Sequence, residues 1–321
     1  MDLSPDGVLF VANASLCQIA ALPDRDHDGI ADTLIVAVAG LERVHSLAFY
    51  GEDLYVAEHD RRTRNRDADG DLVYEQSETL AMMPEWGQHS TRTVVADEIK
   101  QKIYVSVGST CDICREDDAE RATVLEFNPD GSGRRIFARD LRNGAGLTLH
   151  PVTNELWATN NGHDREGVHL PPEWIDVVRD GGFYGWPLAY GFSTWVDVSI
   201  EEYGEALFPL TREDSLDVAS MQRPAALVPA HLAPMAIHFY NHDLLPPAYH
   251  NAAFVAFRGG HSGAVIGYKV MALFSNPDGS DARVADFMTG FSSVPFDDEN
   301  VRGKPVGIAT DDLGNLYIGS D

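Results

Sequence analysis

Apolar residues along the chain fall in short runs or alternate with polar ones, and the pattern recurs in pairs. An apolar strand, a turn and a second strand carrying an aromatic residue are read at SPDGVLFVAN, HSLAFYGEDLYVAE, RTVVADEIKQKIYVSVG, AGLTLHPVTNELWATNNG, YHNAAFVAFRGG and VGIATDDLGNLYIGSD. Alternation with period two marks half-buried strands, and PDG, GED, VTN and DLGN supply the turns. The aromatic positions are Phe10, Tyr55, Tyr104, Trp157, Phe254 and Tyr317, at intervals of 45, 49, 53, 97 and 63 residues. A four-stranded blade needs roughly 40 to 50 residues, so each interval leaves room for two further strands. The pattern predicts an all-β chain, a six-bladed β-propeller of four-stranded antiparallel blades. Residues 1–321 are read as a single propeller domain, with a large insertion at about 158–253. The last repeat ends with the chain, so the outer strands of the sixth blade are expected to be missing and the natural protein to be longer at one or both ends.

Charge narrows the partners. Fifty acidic against 24 basic residues give a net charge of −26, spread along the chain. Such a surface repels nucleic-acid phosphates and anionic lipid, so an anionic ligand needs a local basic cluster or a cation. No apolar run approaches the roughly 18 residues of a membrane span, and Met1 leads directly into a turn and a strand, where no signal peptide is read; a cytosolic protein and a trimmed chain both fit this start. Of the three cysteines, Cys111 and Cys114 form a C-x-x-C without further Cys or His at zinc spacing. A local disulfide or a reduced, inert pair is expected there, and a buried Cys17.

The densest chemistry flanks the fourth repeat, in DLRNGAGLTLHPVTNELWATNNGHD, with Arg142 and Asn143 before one strand and Asn160 to Asp164 after the next. As spacing alone, Arg142 reads equally well as a surface cation and NNG as a turn. His89, in GQHSTRTV, is either a strand cap or a base. These segments, in the order GQHSTRTV, KIYVSVGSTCDICREDD, LRNGAGLTLHPVTNELWATNNG, GGFYGWP and NAAFVAFRGG, resemble the sorbosone and glucose dehydrogenase family of soluble quinoproteins over nearly the whole chain.

The resemblance implies a six-bladed propeller that binds pyrroloquinoline quinone (PQQ) and calcium and oxidises a sugar or sugar-derived aldehyde, passing electrons to a small acceptor or redox protein. It also implies a periplasmic or secreted location. By motif, His89 takes the place of the catalytic base, and Arg142 and Asn143 that of the pair lying against the quinone. The Asn161–Gly162 step matches the turn whose backbone carbonyls hold the cofactor calcium, with Gly162 and His163 as donors; many relatives carry Pro where this chain has His163. Arg258 and Lys304, with Arg302 as its neighbour, match basic cofactor contacts. The three carboxylates of PQQ then meet calcium and a few cations on an otherwise acidic protein.

Two rival readings differ in class: a calcium-dependent propeller lactonase, which needs a carboxylate and amide cage, and a binding propeller without cofactor. His45 precedes its strand as His89 does, and reads as a capping or buried neutral histidine, with substrate contact as the alternative. In DRDHDGIAD, the carboxylates of Asp24, Asp26, Asp28 and Asp32 resemble half of a calcium loop but lack the closing Glu, as does NRDADGD; solvated turns, or weak structural calcium at the first, are the two readings.

Overall fold

The computed structural model describes residues 1–85, 87–260, 267–292 and 301–321. The first sheet contains β1 (Asp2–Leu3), β2 (Leu9–Asn13), β3 (Gln18–Leu22) and β4 (Ile35–Ala39), and the second β5 (Ser46–Tyr50), β6 (Asp53–Ala57), β7 (Arg61–Arg66) and β8 (Gln76–Met82). The third is built of β9 (Val94–Asp97), β10 (Lys102–Val107), β11 (Thr123–Phe127) and β12 (Arg135–Arg139). The fourth takes β13 (Leu147–Leu149), β14 (Leu156–Asn160) and β15 (Glu173–Val177), after which the chain leaves the sheet for β16 (Ala189–Tyr190), β17 (Thr194–Trp195), α1 (Glu201–Leu207) and α2 (Arg212–Ser220). It returns as β18 (Ala226–Val228), the fourth strand of that sheet. The fifth comprises β19 (Pro234–Phe239), β20 (Ala253–Phe257), β21 (Lys269–Phe274) and β22 (Arg283–Met288), and a two-stranded sheet of β23 (Pro305–Thr310) and β24 (Leu316–Ser320) follows.

All these pairs are antiparallel. The blade count of six is therefore corrected to five: among the described residues five sheets have four strands, and the sixth sector is the β23–β24 hairpin, without the outer strands that were expected to be missing. That hairpin packs beside β19 and β20 on one side and β1 on the other. An axial channel of about 330 Å³ is lined by the first strand of every sector, with His45, Thr93, Gly146, His238 and Gly307 among its walls.

Local chemistry explains the hairpins. Tyr50 pairs with Asp53 across a two-residue loop whose Gly51 has φ +56°, a conformation that costs glycine least. The repeated aromatic residue sits on the second strand of each sector, and in the first five it seals the seam to the next. Phe10 packs with the second sheet through Leu47 and Leu54, Tyr55 with Ile103 and Leu125, and Tyr104 with Leu147 and Trp174. Trp157 packs with Val255 and Met271, and Phe254 with Ile308. All five are at most 1% exposed, and burying each contributes roughly 1.5–3 kcal/mol. The sixth, Tyr317, is half-buried and donates its hydroxyl to Asp311.

The excursion between β15 and β18 has its own core of Phe183, Trp186, Val196, Tyr203, Leu207 and Val218, against which both Cys111 and Cys114 pack. A capping box starts α2: Thr211 Oγ1 accepts from Asp214 N (3.1 Å), and Asp214 accepts from Thr211 N (2.7 Å). Arg115 grips Asp214 with two nitrogens at 2.9 and 2.8 Å, tying the helix to the loop after β10. Among the described residues no helix is long and apolar enough to cross a membrane. Cys17 is exposed rather than buried, because it occupies the short turn between β2 and β3, at φ 54°.

Candidate active site

A four-stranded sheet sends two kinds of loop to the same face, the loop that enters its first strand and the loop that joins its second strand to its third, and the two-stranded sheet shares the first kind. His89 lies in the loop entering β9, Arg142 and Asn143 in that entering β13, and Arg302 and Lys304 in that entering β23. Asn161, Gly162 and His163 follow β14, and Arg258 follows β20. All the residues implied for PQQ thus share one face, whereas the loop with Asp24, Asp26, Asp28 and Asp32 joins β3 to β4 on the other.

At the junction of the third and fourth sheets the contacts are direct. His89 Nδ1 lies 2.9 Å from Ser109 Oγ, and its backbone N–H donates to Ser109 O at 3.1 Å. The Ser109 hydroxyl donates its one proton to Cys111 O at 2.7 Å. It can only accept from the ring, so Nδ1 carries the hydrogen and Nε2 keeps the lone pair. Burial, and then the Arg142 cation, lower the imidazole to about 3, which keeps it neutral at ordinary pH. Glycine is required beneath it: a Cβ on Gly108 would fall 2.5 Å from His89 Cβ and 3.1 Å from Asn143 Oδ1.

Arg142 is 3% exposed and has φ 43°. Its Nη2 donates to Asp112 Oδ1 (2.7 Å) and Asp164 Oδ2 (3.1 Å), its Nε to Asp112 O (3.1 Å) and its Nη1 to Asn161 O (3.4 Å). The guanidinium that the sequence suggests as a counter-charge for an anionic ligand is thus already flanked by two carboxylates. Burial pushes Asp112 up, but Arg142 and the Tyr203 hydroxyl outweigh it and hold the carboxyl below the usual range. Nearby Glu173, 3% exposed, is driven well above that range, first by burial.

Asn143 and Asn161 are joined by an isolated bridge, and Asn160 Oδ1 accepts from Asn143 N at 3.0 Å. The amide oxygens of Asn143 and Asn161 are buried and have no hydrogen-bond partner among the described residues. Buried acceptors of this kind call for a donor or a cation, which fits a polar cofactor and its calcium at this point. The His163 ring turns away, 3.0 Å from Glu166 and edge-on to Tyr190 and Tyr203, which leaves only its backbone for the role expected of it.

The remaining basic residues belong to the fifth and sixth sectors. Arg258 is paired with Asp321 at 2.7 Å, and the Lys304 backbone donates its N–H to Ser320 Oγ and accepts from Asp321 N. Arg302 is anchored by its N–H to Phe291 O at 2.6 Å. His45 lines the channel, 3.4 Å from Thr93 Oγ1, and burial lowers it to about 4. On the far face Asp24, Asp26 and Asp28 approach one another, while Asp32 caps Arg25 N at 2.9 Å. Cys111 and Cys114 are joined by a disulfide. Ser109, Asp112, Glu173 and Tyr203 were not singled out from the sequence. Only the excursion's tertiary packing brings Tyr203 to Asp112 (2.6 Å), so no local spacing marks it.

A family model described as TrAA12-like matches residues 3–321. A protein of Borreliella burgdorferi, described as uncharacterized, is 26% identical over 324 residues, covering 98% of this chain and 81% of its own. Among solved structures, the calcium structure of the Trichoderma reesei carbohydrate-active enzyme of family AA12 superposes with a TM-score of 0.81 at 18% identity, covering 99% of this chain and 89% of that one. The holo form of the pyranose dehydrogenase PQQ domain from Coprinopsis cinerea gives 0.79 at 19%, with the same coverage. The PQQ-bound aldose sugar dehydrogenase from Streptomyces coelicolor gives 0.67 at 15%, covering 99% and 86%. The fold is shared with all three, and the match along almost its entire length places the chain in the TrAA12-like family.

Proposed function

We propose that the protein is a PQQ-dependent dehydrogenase that oxidises a sugar or a sugar-derived aldehyde, with His89 as general base. The observation that carries this reading is the bond from His89 to a serine whose proton is already committed, which presents a neutral Nε2 as the acceptor. Asn143, Asn161, Arg258 and Lys304 or Arg302 would hold the quinone, and the carbonyls of Gly162 and His163 its calcium. When bound, that group supplies the two-electron acceptor. His89 takes the substrate proton at Nε2 while hydride leaves carbon. Arg142, fixed by Asp112 and Asp164, keeps a positive charge beside the ring and discourages its premature protonation. Placement of the protein outside the cytoplasm belongs to the same reading.

Titration of the protein with PQQ and calcium, followed by dye-linked activity on a panel of aldoses and aldehydes, tests it. Stoichiometric, calcium-dependent quinone binding and turnover are expected, with His89→Gln retaining the quinone and slowing its reduction by roughly 10² to 10⁴. Failure to bind quinone overturns the proposal, and lactone hydrolysis with calcium alone replaces it by the lactonase reading.

A further inference from the structure

The Cys111–Cys114 disulfide closes a four-residue loop, and polar atoms of that loop reach both proposed reacting side chains. The Cys111 carbonyl accepts the Ser109 proton and so dictates which nitrogen of His89 is protonated. Asp112 holds Arg142 through its carboxylate and its carbonyl. Its spare capacity is filled by the excursion: Tyr203 donates to Oδ2 at 2.6 Å, and Trp186 Nε1 to the carbonyl at 2.8 Å. Asp164 N adds a bond to Oδ1 at 3.0 Å. A free turn of this length samples many conformations, whereas the covalent closure removes most of them.

We propose that Asp112 is a positioning residue for Arg142, and that the Cys111–Cys114 loop fixes the Arg142 guanidinium and the His89 ring relative to one another. This rests on the reading of His89 and Arg142 as reacting groups. Both cysteines are half-buried rather than sealed, so a dithiol reductant has access. One of its sulfurs bonds to a cysteine sulfur as the S–S bond breaks. The second then closes the reductant's own disulfide, leaving two cysteine thiols and an oxidised reductant. The loop is then open, and both anchors slacken together.

Two ring and guanidinium signals test this without quinone or sugar. In the oxidised protein, ¹⁵N spectra should show His89 with protonated Nδ1 and bare Nε2, and a resolved, slowly exchanging Nη2–H of Arg142, the donor to the Asp112 carboxylate. Asp112→Asn should broaden or lose the Arg142 signal while leaving the His89 tautomer in place, and Asp112→Glu should restore part of it. Dithiol reduction, or Cys111→Ala with Cys114→Ala, should move the His89 nitrogens toward the average of two tautomers. In the quinone-loaded enzyme Asp112→Asn should lower kcat by roughly 10²-fold, the effect of about an ångström of misplacement, with little change in KM. Wild-type Arg142 signals in Asp112→Asn, or unchanged His89 signals in the opened loop, would overturn the proposal. Altered signals in a protein that binds no quinone would leave the positioning intact and remove the dehydrogenase reading instead.

Discussion

With His89 as the proposed base, the pH dependence of substrate oxidation is set by the surroundings of its ring. An imidazole at the ordinary value of about 6.5 would be only about 1% neutral at pH 4.5, and a base reaction through it would run roughly 100-fold below its plateau. Burial and Arg142 lower His89 to about 3. The sign is that of a depressed base: the neutral, proton-accepting form dominates above that value and is lost only below it. At pH 4.5 roughly nine-tenths or more of the ring is then still neutral. Stopped-flow reduction of the bound quinone should therefore show no acid limb from His89 between pH 8 and 4.5. Replacing Arg142 with Gln removes the neighbouring cation, the second cause of the depression, and should move the limb to higher pH. The ring nitrogens, followed by NMR in the same range, report the titration directly. A wild-type limb near pH 6.5 would refute the argument, since His89 would then be either solvated or not the base.

Arg142→Ala leaves Asp112 and Asp164 facing one another without their cation, and should cost about 3–5 kcal/mol in denaturant unfolding as well as weakening the cofactor. Gly108→Ala drives a methyl to 2.5 Å from His89 Cβ, so it should slow quinone reduction more than it lowers Tm; unchanged kinetics would mean that the floor yields. Arg62 is fully buried, its guanidinium without a hydrogen-bond partner among the described residues and 4.2 Å over the Phe127 ring. A desolvation cost of several kcal/mol exceeds a cation–π gain of about 2. Arg62→Met should thus stabilise the protein by roughly 1–3 kcal/mol, and a lower denaturation midpoint would contradict this.

The sequence pattern made six sectors legible and could not count blades. Its signature consists of the first two strands of a sheet, with the aromatic residue on the second, and the β23–β24 hairpin satisfies that signature as fully as a four-stranded sheet does. Outer strands such as β8 and β22 are largely exposed and carry weak alternation, so nothing in the text of the chain demands them. The loops carrying His89, Arg142 and Asn161 were readable because they abut the repeat. Their partners were not: Ser109 and Asp112 look like turn residues until Cys111, Trp186 and Tyr203 converge on them. Cys17 was misjudged because a cysteine's usual preference for the interior is overridden in a tight turn.

His89 and Ser109 belong to the third sheet, and Arg142 and Asn161 to the fourth, and what separates the two sheets is a layer of Tyr104, Phe137, Leu147, Leu156 and Trp174. The reach between base and guanidinium is accordingly a mechanical dimension of that apolar layer, set like the jaw of a vice by the thickness of what it clamps. Trimming Phe137 to Leu, on the outward strand of the third sheet, would change the gauge of the site without touching any atom that takes part in its chemistry.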